Sequence, residues 1–334
     1  MQTRARDLGV AIGTLPTGAL NAITDVPGVL VGQTTLADGD LQTGVTAIVP
    51  AGVTGGLPAA VAVGNGYGKL VGSTQLEELG LLETPIVLTG TLSVFRAADA
   101  LVTYLLERDP QAISLNPVVG ETNDGYLSDI RRRPITELHV LDALTSASAD
   151  LPEEGCVGAG TGTCALGFKA GIGTASRRIG AADRPPHGTV GVLVQSNFSG
   201  TLQVLGTKIP APPREPDGNS CLIVVATDLP LDARQLGRVA RRAIFALGLI
   251  GSDYAPGSGD YAIAFATKHQ QPMPDRDLRP VFQATLEAVE EALLNSLVAA
   301  RTTTGYKGRT QYAVPHELIT AARDRAQPPS SPTA

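Results

Sequence analysis

Gly218-Asn219-Ser220-Cys221-Leu222-Ile223-Val224-Val225-Ala226-Thr227-Asp228 changes character at its serine. Before it the chain is polar and proline-rich, Lys208-Ile209-Pro210-Ala211-Pro212-Pro213-Arg214-Glu215-Pro216-Asp217. After it, a short apolar, β-branched run bounded by turn residues reads as a buried strand. A serine between a deformable loop and a strand is placed where its hydroxyl can attack the preceding carbonyl. Hydrolysis of the resulting ester would leave that serine as a new N-terminus. It would then carry a nucleophile and, in its α-amine of reference pKa about 7.7–8.0, a base suited to neutral pH. The residues alone leave a plain turn ahead of a strand as the other reading.

Working outward, Thr189-Val190-Gly191-Val192-Leu193-Val194-Gln195 is a matching strand signal, so the proline-rich stretch becomes a long connection between two strands. Asp232 is placed to cap a helix running through Leu247, with Gly248 as its stop. Tyr261 to Ala266 predicts another strand, and Asp277 to Arg301 carries the longest helical pattern, with Val281, Leu286, Val289, Leu293, Leu294 and Leu297 on one face. Nearer the N-terminus, Val29 to Val31, Gly44 to Val49, Ala59 to Val63 and Pro85 to Thr89 predict strands. A short helix is expected over Gln75 to Leu79 with Gly80 closing it, and a longer one over Ser93 to Arg108. Two clusters of strands with helices between them predict sheets covered by helices, an α/β sandwich. Residues 327–334 are expected to form a disordered tail.

The chain has 334 residues, 43% hydrophobic and 17% charged, with 38 glycines, 24 prolines and 4% aromatics. That is enough for one large core with many tight turns, and a single unit over residues 1–334 is expected. A net charge of −6 gives no electrostatic footprint for nucleic acid. Cys156, Cys164 and Cys221 form an odd count without metal-ligand spacing, which argues for a reducing compartment and against a zinc site. No run of about 18 apolar residues occurs, so a cytoplasmic protein without a membrane partner is expected.

Gly158-Ala159-Gly160-Thr161-Gly162-Thr163 and Gly64-Asn65-Gly66-Tyr67-Gly68-Lys69 miss the spacings of dinucleotide and phosphate loops, leaving tight turns or the lining of a pocket. No nucleotide cofactor is expected. The four histidines, His139, His187, His269 and His316, sit in no catalytic context, so a serine-histidine-acid triad has no support. Scarce histidine raises the value of a serine activated by its own amine.

Gly218 to Leu231 resembles the cleavage segment of the L-aminopeptidase/D-amidase-esterase family, which includes the β-aminopeptidases. Further similar segments follow in one order along most of the chain: Leu20 to Val29, Gly64 to Leu70, Val118 to Leu127, Gly171 to Arg177 and Val194 to Phe198. The resemblance implies a self-processed serine hydrolase with a four-layer αββα sandwich like that of the N-terminal nucleophile hydrolases. It would cleave between Asn219 and Ser220 into residues 1–219 and 220–334, need no cofactor, and assemble as a homo-tetramer of processed subunits.

By the same resemblance Ser220 is the nucleophile. Ser258 and Asp260, within Gly257-Ser258-Gly259-Asp260, orient it or its amine, and Asn197 donates to the oxyanion. Glu121 would receive the ammonium of a small peptide, amide or ester. Relatives place a tyrosine near the position of Asn123, where this sequence departs; Tyr126 is the substitute candidate, with Asn123 beside it. The alternatives are a hydrolase of nylon-type oligomers, disfavoured because those enzymes use threonine, and an acyltransferase of the ornithine acetyltransferase type. A third is a ligand-binding protein that never cleaves.

Overall fold

The computed structural model describes residues 2–180, 187–212 and 219–326; the tail expected at 327–334 lies outside them. The first half of the chain runs through β1 (Val29–Asp38), β2 (Leu41–Pro50), β3 (Leu57–Gly66), the short helix α1 (Ser73–Glu78), β4 (Leu81–Leu82), β5 (Ile86–Gly90), α2 (Val94–Arg108), β6 (Val118–Thr122) and α3 (Glu137–Thr145). There follow β7 (Cys164–Ala165), β8 (Phe168–Lys169), β9 (Ile172–Ile179), β10 (Gly188–Asn197), β11 (Leu202–Val204) and β12 (Thr207–Ile209). The last stretch adds β13 (Ser220–Thr227), α4 (Ala233–Leu249), β14 (Gly259–Ala266) and α5 (Arg279–Val298).

Two sheets form, in the orders β1-β2-β5-β6 and β4-β3-β14-β13-β10-β9. Helices α2 and α3 cover the first, and α4 and α5 cover the second. Each layer boundary has its own apolar core. Val45, Val87, Leu101 and Val140 fill the space between the first sheet and its helices. Ile48, Leu88, Leu222, Val224 and Phe265 lie between the sheets. Ile223, Val225, Leu247, Val289 and Leu293 lie under α4 and α5. The result is the expected αββα sandwich, with one layer of helices on each outer face.

This layering explains the run after Ser220. Cys221, Ile223 and Val225 face the helices while Leu222, Val224 and Ala226 face the other sheet. Both faces of β13 are buried, so its sequence is continuously apolar rather than alternating. Gly120 permits the sheets to approach at the site: a Cβ there would meet Leu222 Cδ1 at 2.7 Å.

Helix α4 begins as expected, with Asp232 accepting from the Gln235 N–H at 2.7 Å. It does not stop at Gly248. The helix continues to Leu249 and the chain turns at Gly251, where φ is 101°. Tyr254 holds this last turn, its hydroxyl accepting from the Gly248 N–H and donating to the Ile244 carbonyl, each at 2.9 Å. The helix thus ends one residue past the expected stop, its last turn closed by a contact from the segment that immediately follows it. Strands β6 and β9 and helix α3 were not legible as elements in the sequence. Among the described residues no helix is long and apolar enough to cross a membrane, and the three cysteines are buried and form no disulfide there.

Candidate active site

Ser220 is the first residue of β13 and is 1% exposed. Side chains alternate along a strand, so its hydroxyl falls on the sheet-to-sheet face with Leu222 and Val224. That hydroxyl donates to the carbonyl oxygen of Asn219, against the bond whose cleavage the sequence suggested. Antiparallel pairing of β13 with β10 sets Asn197 directly opposite Ser220, and directly opposed residues share a face with their Cβ atoms about 4.5–5.5 Å apart. Asn197 is fixed at both ends of its amide: Oδ1 accepts from the Cys164 N–H at 2.9 Å and Nδ2 donates to the Asn123 carbonyl at 2.9 Å. Its orientation is therefore set before any substrate arrives.

On the other flank, β13 pairs with β14 in parallel and puts Asp260 beside Cys221, the residue after the serine. Ser258 Oγ donates to Asp260 Oδ1 at 2.7 Å. Asn65 Nδ2 donates to the other oxygen at 2.9 Å. Burial raises the Asp260 pKa, and the hydrogen bonds from Ser258 and Asn65 only partly reverse this, so the group stays above the ordinary carboxylate range. Asn65 had no role assigned from the sequence. Its signal was a polar residue between glycines at a strand end, but only the pairing of β3 with β14 reveals its partner.

Glu121 lies near the end of edge strand β6 and is 1% exposed. Its Oε1 accepts from the Lys69 backbone N–H at 3.0 Å and faces Lys69 Nζ at 3.5 Å; its Oε2 is buried with no partner among the described residues. Burial raises its pKa, and Lys69 and the Thr91 hydroxyl offset part of that rise. Asn123 enters through its backbone, since its side-chain oxygen is taken by the Gly125 N–H at 3.0 Å. Tyr126 is half-buried with the Arg309 guanidinium 5.2 Å from its ring centre. Asp124 is fully buried with no hydrogen-bond partner on either oxygen among the described residues, and burial pushes its pKa up to about 7. Three of the histidines are engaged elsewhere: His139 caps α3, His269 meets the Gly56 carbonyl and His316 the Val298 carbonyl.

These residues form a closed circuit. Ser220 faces Asn197, which bonds the Asn123 carbonyl; the same segment presents Glu121, which is held by Lys69. The Tyr67 N–H bonds the Ser258 carbonyl at 3.0 Å, and Ser258 and Asn65 hold Asp260 next to Cys221. A hydroxyl, an oriented amide and two buried carboxylates so arranged suit acyl transfer to serine without histidine or metal ligands.

The comparisons agree with this chemistry. Residues 21–311 match the model of peptidase family S58, and the chain belongs to that family. It is 39% identical to the beta-peptidyl aminopeptidase BapA of Sphingosinicella xenopeptidilytica, an alignment covering 95% of this chain and 90% of that protein. The fold superimposes on a Burkholderia sp. beta-aminopeptidase with a TM-score of 0.90 and 37% identity, covering 97% of this chain and 99% of that one. It also superimposes on the L-aminopeptidase D-Ala-esterase/amidase of Ochrobactrum anthropi, described as a prototype for the serine aminopeptidases and a variant of the Ntn hydrolase fold. There the TM-score is 0.87 at 35% identity, covering 96% and 98%. The protein is a serine aminopeptidase/amidase, and neither the nylon-oligomer hydrolase nor the acyltransferase reading is favoured.

Proposed function

We propose that the chain cleaves itself between Asn219 and Ser220 and then uses Ser220 to release the N-terminal residue from small peptides, amides or esters. The observation that carries this reading is the Ser220 hydroxyl resting on the Asn219 carbonyl, opposite an asparagine whose amide is already oriented. In the first reaction Ser220 Oγ attacks the Asn219 carbonyl carbon and the peptide C–N bond breaks. The residue 219 acyl group passes to the hydroxyl oxygen as an ester, and the nitrogen, keeping its own hydrogen, takes up the proton released from Oγ and becomes the new amine. Water then hydrolyses the ester, leaving a carboxylate on Asn219 and a free amine on Ser220.

In turnover that amine takes the proton from Oγ as it attacks the substrate carbonyl and returns it to the leaving group; water then hydrolyses the acyl-enzyme ester, releasing the acid and restoring the Ser220 hydroxyl. Asn197 Nδ2 donates to the developing oxyanion, while Ser258 and Asp260 hold the amine in place. Glu121 Oε2, buried and without a partner among the described residues, is the seat for the substrate ammonium, with Asn123 and Tyr126 as its bordering candidates. The names of the relatives extend the substrate class to β-peptides and D-alanyl esters or amides. Choice among these rests on pocket shape to within a methylene, a difference worth about 1–3 kcal/mol. The reading includes a cytoplasmic homo-tetramer of processed subunits.

Expression followed by a denaturing gel and N-terminal sequencing tests it. Two fragments are expected, the smaller beginning Ser-Cys-Leu-Ile. The Ser220→Ala protein should remain one chain and lose aminopeptidase activity by roughly 10⁴-fold or more. A Ser220→Ala chain that still splits before residue 220 would overturn the assignment.

A further inference from the structure

We propose that Lys69 is a positioning residue for substrate binding: its backbone N–H and its ammonium occupy Oε1 of Glu121, so that Oε2 stays an anionic seat for the substrate's ammonium. The proposal rests on the reading of Glu121 given above and extends it to a residue outside the catalytic group. Glu121 is 1% exposed, and a carboxylate buried without a cation tends to take up a proton, which would abolish an ammonium site. The titratable groups facing it are Lys69 from the loop after β3, Tyr261 from β14 and Asp124 from the loop after its own strand. Lys69 is the cation among them.

The geometry gives Lys69 two separate holds. Its backbone N–H lies 3.0 Å from Oε1, and this bond survives any change of side chain. Its Nζ lies 3.5 Å from the same oxygen and is steadied by Thr91 Oγ1 at 2.7 Å, with the side chain 39% exposed. Both donors approach one oxygen, and neither reaches Oε2. The end of β3 just before this loop ties down Asp260 through Asn65, so residues 65 to 69 hold both Asp260 and Glu121.

A Lys69→Met variant therefore removes the charge while leaving the carboxylate anchored. Glu121 would then hold its proton to higher pH. The measurement is the pH profile of kcat/KM for an amino-acid anilide divided by that for its des-amino counterpart, a ratio in which the Ser220 amine cancels. In Lys69→Met the acid limb of this ratio is expected to move up by about one pH unit. On the limb, KM for the amine substrate should rise roughly tenfold with kcat little changed. Lys69→Arg should keep the limb near its original position. Autoprocessing on a gel reports that each variant folds.

An unmoved limb in Lys69→Met, or equal shifts in the Met and Arg variants, would overturn the proposal. A Glu121→Gln control separates the two layers. If Glu121→Gln keeps the preference for a free amine, the ammonium-seat reading itself fails and takes the role of Lys69 with it. If Glu121→Gln loses that preference while Lys69→Met keeps it, only the role of Lys69 fails.

Discussion

Two of the regions where the chain buries carboxylates treat them oppositely. Under α5, Glu291 accepts from Arg6 at 2.7 and 3.0 Å, from Asn21 at 2.6 Å and from Arg177 at 2.6 Å, while Glu287 accepts from Arg177 and the backbone of Thr14 and Leu15. Burial alone would raise both groups, yet these donors hold them below the ordinary range. Across the sandwich, Glu121 Oε2 and both oxygens of Asp124 have no partner among the described residues, and both groups sit above it. A buried charge satisfied within the protein serves the fold; one left unsatisfied is available to a ligand, and the protein bears its cost.

If that contrast is right, damage to the two regions should separate stability from turnover. Arg177 is fully buried, and Arg177→Met would leave two glutamates without their guanidinium; unfolding should become easier by about 3–5 kcal/mol. Denaturant melts measure this, and the fraction that stays folded should keep its kcat. Loss of kcat with unchanged stability would break the comparison. Asn197→Ala should weigh mainly on turnover, lowering kcat by roughly 10²–10³-fold through loss of the oxyanion donor, while the melt shifts by about 1–3 kcal/mol because the buried Cys164 N–H and Asn123 carbonyl lose this partner. Steady-state kinetics beside a melt of the same preparation decides between them.

The smallest effect concerns Asp124. Its folded pKa of about 7 stands above the ordinary 3.8, so the folded state binds the proton more readily than the unfolded chain. The stability this adds is fully present below about pH 4 and is lost as pH rises through about 7. Asp124→Asn removes that dependence, and the fall in melting temperature between about pH 5 and 8 should be shallower in the variant. Coincident slopes would show that Asp124 does not titrate across that range.

How much of this could be read from the chain differs element by element. Strands β5, β10, β13 and β14 were legible because strands buried in a sandwich concentrate β-branched and apolar residues between turn signals. Strand β9 was not, since Arg177 and Arg178 read as surface residues and only the glutamates of α5 make one of them a core residue. Ser220 is marked by the composition break at 220, whereas Asn197, Ser258 and Asp260 are marked by the resemblance of their segments to the family and not by any local chemistry. The glycine-rich stretch from Gly64 to Lys69 reads as a turn or a pocket lining, but the partners of Asn65 and Lys69 and the surroundings that bury Asp124 come from distant parts of the chain and no local pattern names them.

The sequence by itself determined which residues carry reactive chemistry and where the apolar runs begin and end, because nucleophilicity and hydrophobicity belong to single residues and their near neighbours. Only the tertiary structure decided which groups meet. Strand pairing brings Asn197 to Ser220, Asp260 to Cys221 and Asn65, 195 positions away in the chain, to Asp260. Charge states belong to that level as well, since Glu121 and Glu291 are the same residue type with the same intrinsic pKa. Burial and the cations brought to them by folding move one up and the other down.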